Sequence, residues 1–198
     1  DSNLYKTKAN GIYVSNNSNV EIRNCKVTET DYPAIFVSGS NCIIESTEIS
    51  NIAQNGISLN ACKSFTVSNN KLTDVKGSAI SILDESVGEA HRNIISNIGG
   101  NGIYVGGSSE IKAHKNIIDN NQYPGIAILM KSTADLIKNK ISNITYSGIC
   151  CRGAKHVKII KADISNIKEC GVSVSDTKKC VIKHSNIRKC NIAAVESY

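Results

Sequence analysis

His91 and His114 stand 23 residues apart, and Glu89 lies two residues before the first of them. Two imidazoles and a carboxylate are side chains that hold a zinc-type ion or move protons, provided the fold brings residues 23 positions apart together. The same interval also links Glu89, Lys112, Asp135 and Lys158, a column of alternating charge. Such alternation suits ion pairs between neighbouring strands, each worth tenths of a kcal/mol. The cluster therefore reads as a structural ladder, and neither a metal nor another cofactor is expected. Cys150 is a candidate nucleophile, but no histidine shares its face, and a thiol needs a base to activate it.

Two further sets repeat at this interval and suit binding rather than catalysis. Six of the nine aromatic residues, Tyr13, Phe36, Tyr104, Tyr32, Tyr123 and Tyr146, fall at two neighbouring repeat positions. An exposed aromatic strip marks contact with protein or sugar. Arg92, Lys115, Lys138, Lys161 and His184 form a basic stripe at 23-residue spacing. Like charges about 4.8 Å apart repel by roughly 0.9 kcal/mol in water, so the stripe suits an acidic polymer or a solvated face. Nucleic acid ranks last, because no aromatic interleaves with the stripe to stack on bases.

The spacing itself reveals the elements that carry these residues. A small residue followed by an alternating apolar segment recurs from Gly11-Ile12-Tyr13-Val14 through Gly102-Ile103-Tyr104-Val105 to Gly171-Val172-Ser173-Val174, at intervals of 22 or 23. Each unit holds three short period-2 segments separated by Asn, Ser and Gly, rich in Ile and Val, with only six leucines in the chain. This is the signature of strand and turn, not of helix. The expected fold is all-β: a right-handed, single-stranded parallel β-helix of about eight coils. Stacking the coils places Asn70, Asn93, Asn116 and Asn139 in one inward turn, an asparagine ladder. A second run, Asn51, Asp74, Asn97, Asn120, Asn143 and Asn166, is expected just after the third strand.

The Gly-Ile-x-Val start, the asparagine ladder and the period resemble the parallel β-helix repeat of pectin-lyase-like proteins. The resemblance covers nearly the whole chain and implies the fold. That superfamily includes pectate lyases, polygalacturonases and alginate epimerases, and also β-helix domains without catalysis. In its enzymes the site usually lies along the outer face of the first strand. Here that face presents Tyr13, Phe36, Ser58, Ser81, Tyr104, Ala127, Cys150 and Ser173, with no carboxylate before Glu196. The N-T-D, D-D, G-H-G and R-I-K signatures of polygalacturonases and the D-P-H of alginate epimerases are missing, so no catalytic residue carries over.

The expectation is a non-enzymatic scaffold that binds a protein partner through its first-strand face. The alternative is a polysaccharide-binding or polysaccharide-degrading β-helix with an acidic polysaccharide as partner. Bulk composition agrees with a folded chain: 40% hydrophobic, 20% charged. Net charge is +6, divided as −2 over residues 1–99 and +8 over 100–198. No run of 18 apolar residues could form a membrane-spanning helix. The start of the sequence lacks a signal-peptide pattern, and few of the eight cysteines stack in the repeat alignment; free thiols and an intracellular setting are expected. The chain is expected to be one domain, 1–198, cut from a longer protein, because neither end carries a cap over its open sheet edges.

Overall fold

A computed structural model describes residues 2–198; Asp1, included in the expected 1–198 domain, lies outside them. Among the described residues there is no helix, and the chain forms 26 strands of three to five residues. They make three parallel sheets of nine, eight and nine strands, each strand bonded to its counterparts one coil before and after. The first face runs from Ile12–Val14 to Val195–Ser197, the second from Asn19–Arg23 to Lys179–Lys183, and the third from Asn3–Thr7 to Asn186–Cys190. This is the expected parallel β-helix of about eight coils.

Register follows the sequence period. On the first face Ile80 pairs with Ile103 and Ile103 with Ile126; on the third, Leu72 pairs with Ile95 and Ile95 with Ile118. Ile35, Ile57, Ile80, Ile103, Ile126 and Ile149 are fully buried and look across the interior to Ile49, Leu72, Ile95, Ile118, Ile141 and Ile164. The second face closes the core with smaller residues, including Val67, Ala90 and Ala113. Five or six buried aliphatics at about 1.5–3 kcal/mol each roughly cancel the ordering entropy of one coil. Stability therefore comes from stacking, and Leu4, Ile12, Val174 and Ile187 at the open ends are only partly buried.

Polar columns line the corners. Asn93 donates from Nδ2 to Val67 O at 2.9 Å and to Asn116 Oδ1 at 3.0 Å, while its own Oδ1 accepts from the backbone and side chain of Asn70. Asn70, Asn93, Asn116 and Asn139 are at most 1% exposed, so the ladder satisfies buried groups that water cannot reach. A serine column does the same at the corner between the first and second faces: Ser86 Oγ accepts from Cys62 N, Ser109 Oγ from Ser86 N, and Ser132 Oγ from Ser109 N. The sequence reading missed this second ladder, because serine is equally common in exposed turns.

Candidate functional site

The second asparagine run lies inside the third-face strands rather than after them. Asn51, Asp74, Asn97, Asn120, Asn143 and Asn166 all adopt φ between 54° and 58°. They are skipped by the strand pairing: Thr73 pairs with Ser96 and Val75 with Ile98, leaving Asp74 and Asn97 between them. Asn and Asp tolerate this left-handed conformation better than branched residues do. One such residue per coil interrupts the extended backbone of the third strand just before the turn into the first face. Their side chains stay exposed and link coil to coil, Asn97 Nδ2 to Asp74 Oδ1 at 3.2 Å and Asn120 Nδ2 to Asn97 Oδ1 at 2.8 Å.

Repeated on successive coils, the interruption borders a groove along the rod. Its first stretch, about 770 Å³, is bordered by Lys6, Lys8, Glu29, Asp31, Asn51, Asp74, Lys76, Asn97 and Gln122, with Ile52 and Val75 in its floor. A second stretch of about 440 Å³ lies in line with it on the same repeat positions, bordered by Asn120, Asn143, Thr145, Asn166, Lys168 and Lys189. The groove mixes amides, three carboxylates and five lysines over an apolar floor. It can hydrogen-bond a hydroxylated polymer along its length and meet charge of either sign.

The tyrosines of the turn adjoin it in sequence. Tyr32, Tyr123 and Tyr146 each follow immediately on a groove residue and are 43–51% exposed. Tyr123 and Tyr146 stack at 5.0 Å between centroids and 8° between planes. Tyr13 and Phe36 make a separate stack on the first face, at 5.4 Å and 8°. Tyr104 lies over Gly106. The six aromatics thus resolve into two stacked pairs and two single rings rather than one continuous edge. Between Phe36 and Tyr104, Ser58 and Ser81 are buried, as is Ala127 one coil beyond Tyr104.

The basic stripe is as regular as its spacing. Arg92, Lys115, Lys138, Lys161 and His184 are exposed on consecutive coils, each at φ between 52° and 58°. The alternating-charge column forms separate pairs: Lys112 Nζ to Glu89 Oε1 at 3.4 Å and Lys158 Nζ to Asp135 Oδ1 at 3.6 Å. Beside them His91 and His114 stack at 4.7 Å, and His114 Nε2 meets Glu89 Oε2 at 3.3 Å. Burial, and then the neighbouring His114, hold the His91 imidazole below its ordinary pKa.

All eight cysteines are free. Two pairs nevertheless meet in space: hydrogen bonding to Cys62 and burial push the Cys42 thiol up, and Cys151 is raised in the same way beside Cys180. Repeat alignment hid these contacts, since the partners are 20 and 29 residues apart. Burial also raises the Cys150 thiol, which disfavours a reactive thiolate there.

The family model described as "Right handed beta helix region" matches residues 1–135 and 78–198. No curated protein matches the sequence. Among solved structures, the mannuronan C-5 epimerase AlgE6 A-module of Azotobacter vinelandii is similar with a TM-score of 0.67 at 11% identity, covering 94% of this chain and 61% of its own. The AlgE4 A-module of the same organism gives 0.44 at 9%, covering 96% and 78%. The catalytic domain of a GH87 α-1,3-glucanase in complex with nigerose gives 0.45 at 12%, covering 87% and 46%. The chain therefore spans about three fifths of the AlgE6 module.

The expectation that this chain is not an enzyme does not stand. The architecture it shares with the AlgE6 module is one that carries catalysis. The expectation rested on carboxylates missing from the outer first face, yet Glu29, Asp31 and Asp74 gather in the groove one corner away. A β-helix has three faces and three corners, so an empty first face does not exclude chemistry elsewhere on it.

Proposed function

The chain belongs to the family of right-handed β-helix regions, and on that premise we propose that it binds a polysaccharide laid lengthwise in the groove between its third and first faces. The observation that carries this reading is the alignment of the two groove stretches beside the turns that bear exposed, partly stacked tyrosines. Coils repeat about every 4.8 Å, close to the advance of one pyranose unit in an extended glycan. Each coil then offers one sugar an amide or carboxylate from the left-handed column, and Tyr32, Tyr123 and Tyr146 offer faces for its apolar C–H side. The likeness to the AlgE6 module, a mannuronan C-5 epimerase, supports a polysaccharide as the class of ligand.

The test is titration calorimetry against a panel of neutral glucans and polyuronates, with each mixture also analysed for altered product. Micromolar-to-millimolar binding that falls at least about fivefold in Tyr146→Ala and in Asp74→Ala supports the groove. No binding across the panel, or binding indifferent to both variants, overturns it.

A second reading, a protein partner on the first face, is favoured by Tyr13, 63% exposed and stacked on Phe36 away from the groove. Phe36→Ser would remove that partner while leaving any glycan binding intact.

A further inference from the structure

We propose that Glu89, His91 and His114, on the outer surface of the second face, form a binding site for a divalent first-row metal ion, Zn2+ above others. Glu89 and His91 are two residues apart on the strand Val87–His91, so both side chains leave the same side of the sheet. His114 is the register partner of His91 on the next strand. One potential ligand atom from each of the three residues lies within 4.8 Å of the others. Two imidazoles and a carboxylate are the donor set that suits zinc and its neighbours, whereas calcium and magnesium prefer oxygen alone.

Two further observations separate this cluster from a plain ion-pair ladder. Nδ1 of His91 is buried and has no hydrogen-bond partner. A polar atom removed from water without a partner is costly, so the fold leaves the His91 ring short of partners. Glu89 also divides its carboxylate: Oε1 is held by Lys112 at 3.4 Å, while Oε2 turns to His114 at 3.3 Å. Lys112 thereby acts as a positioning partner that aims the free oxygen at the imidazoles. To bind zinc at the usual bond lengths of about 2.0–2.2 Å, the three donors must draw in by about 1 Å. Rotation of partly exposed side chains on a rigid sheet supplies that movement. Three protein ligands on an outward surface leave further coordination positions to solvent.

Neighbouring coils provide substitutions compatible with the fold. The position of His91 is held by Ser68 one coil earlier, and that of His114 by Ile137 one coil later. His91→Ser and His114→Ile therefore put in each place a residue the rod already carries there. Metal-free protein is titrated with Zn2+ by calorimetry and with Co2+ by visible absorption. The parent should bind one ion per chain, with Co2+ ligand-field bands and no thiolate charge-transfer band. Both variants and Glu89→Gln should lose more than about tenfold in affinity with unchanged circular dichroism. In the parent, imidazole resonances of His91 and His114 should shift with Zn2+ while those of His156 and His184 stay. Absence of binding in the parent, unchanged affinity in the variants, a thiolate band, or unshifted His91 and His114 resonances would each overturn the site; the last test holds even if a variant misfolds.

Discussion

The ring of Phe65 fills the space that a side chain at residue 88 would occupy: a Cβ on Gly88 would lie 2.6 Å from the Phe65 Cγ and closer still to the Phe65 carbonyl oxygen. The two residues are register partners on adjacent second-face strands. Among the described residues Phe65 is the one aromatic ring in the buried core, only 2% exposed, and its bulk is absorbed by the missing side chain one coil on. A strand glycine of this kind marks a close approach rather than a turn.

Gly88→Ala should therefore destabilise the rod by about 1–3 kcal/mol, the range for overpacking a filled interior. Thermal denaturation followed by circular dichroism measures the loss. Phe65→Leu in the same chain should recover part of it, since the shorter side chain vacates the space. Equal destabilisation in the single and double variants would show that the ring is not what opposes the new methyl.

The asparagine ladder predicts a dependence on position. Asn93→Ala removes both the donor to Val67 O and the acceptor serving Asn70, and breaks the link to Asn116. Asn139 ends the run; it donates to Ala113 O and accepts from Asn116, with Ala162 following it in the column. Each orphaned buried group costs about 1–3 kcal/mol. Asn93→Ala should lower the denaturation midpoint more than Asn139→Ala, and the same pair of measurements would reveal a ladder without cooperativity if the two were equal.

These contrasts explain what the sequence made legible. The coil period, the three faces and the inward columns were readable because each rests on a repeated residue type, as with Ile57, Ile80 and Ile103. The Asn70–Asn139 ladder was readable for the same reason. The groove was not, because it depends on a backbone conformation. Asn51 and Asp74 look like ordinary turn formers, and only the structure shows their left-handed φ inside a strand that borders the channel. The Cys42–Cys62 contact was hidden by its 20-residue spacing, which crosses from one corner to the next face. The run Glu29, Asn51, Asp74, Asn97, each immediately after an outward Ser or Thr, was the available signal for the channel.

The basic stripe sets stability against binding. Lys138 sits at φ 56°, a conformation unfavourable for lysine, between Lys115 and Lys161 one coil to each side. Asn24 and Asn69 occupy the same repeat position nearer the start of the rod. Lys138→Asn removes like-charge repulsion and puts in place a residue suited to the left-handed region. It should stabilise the rod by about 0.5–1 kcal/mol at low salt, with the gain shrinking as salt rises. If the stripe also holds a polyanion, affinity for a polyuronate should fall in the same variant. Higher stability with unchanged affinity would assign the stripe to solvent alone.

The row of turn tyrosines can be extended as well as removed. The repeat positions that carry Tyr32, Tyr123 and Tyr146 hold Gln54, Gly77 and Gly100 on the intervening coils. At Gly77 and Gly100 a side chain would collide with the backbone of the preceding coil, so those two places cannot take a ring. Gln54 is exposed and already has a side chain there, one coil from Tyr32. In Gln54→Tyr the new ring should stack on Tyr32 as Tyr146 does on Tyr123, at about 5 Å. A second platform beside the groove adds about 0.5–1.5 kcal/mol of contact, or roughly two- to tenfold in affinity for a glycan long enough to reach it. Calorimetry with a ladder of oligosaccharide lengths measures the gain, which should appear only above the length spanning both ends of the groove. A gain independent of length would place the sugar elsewhere, and no gain at all would separate the tyrosines from binding.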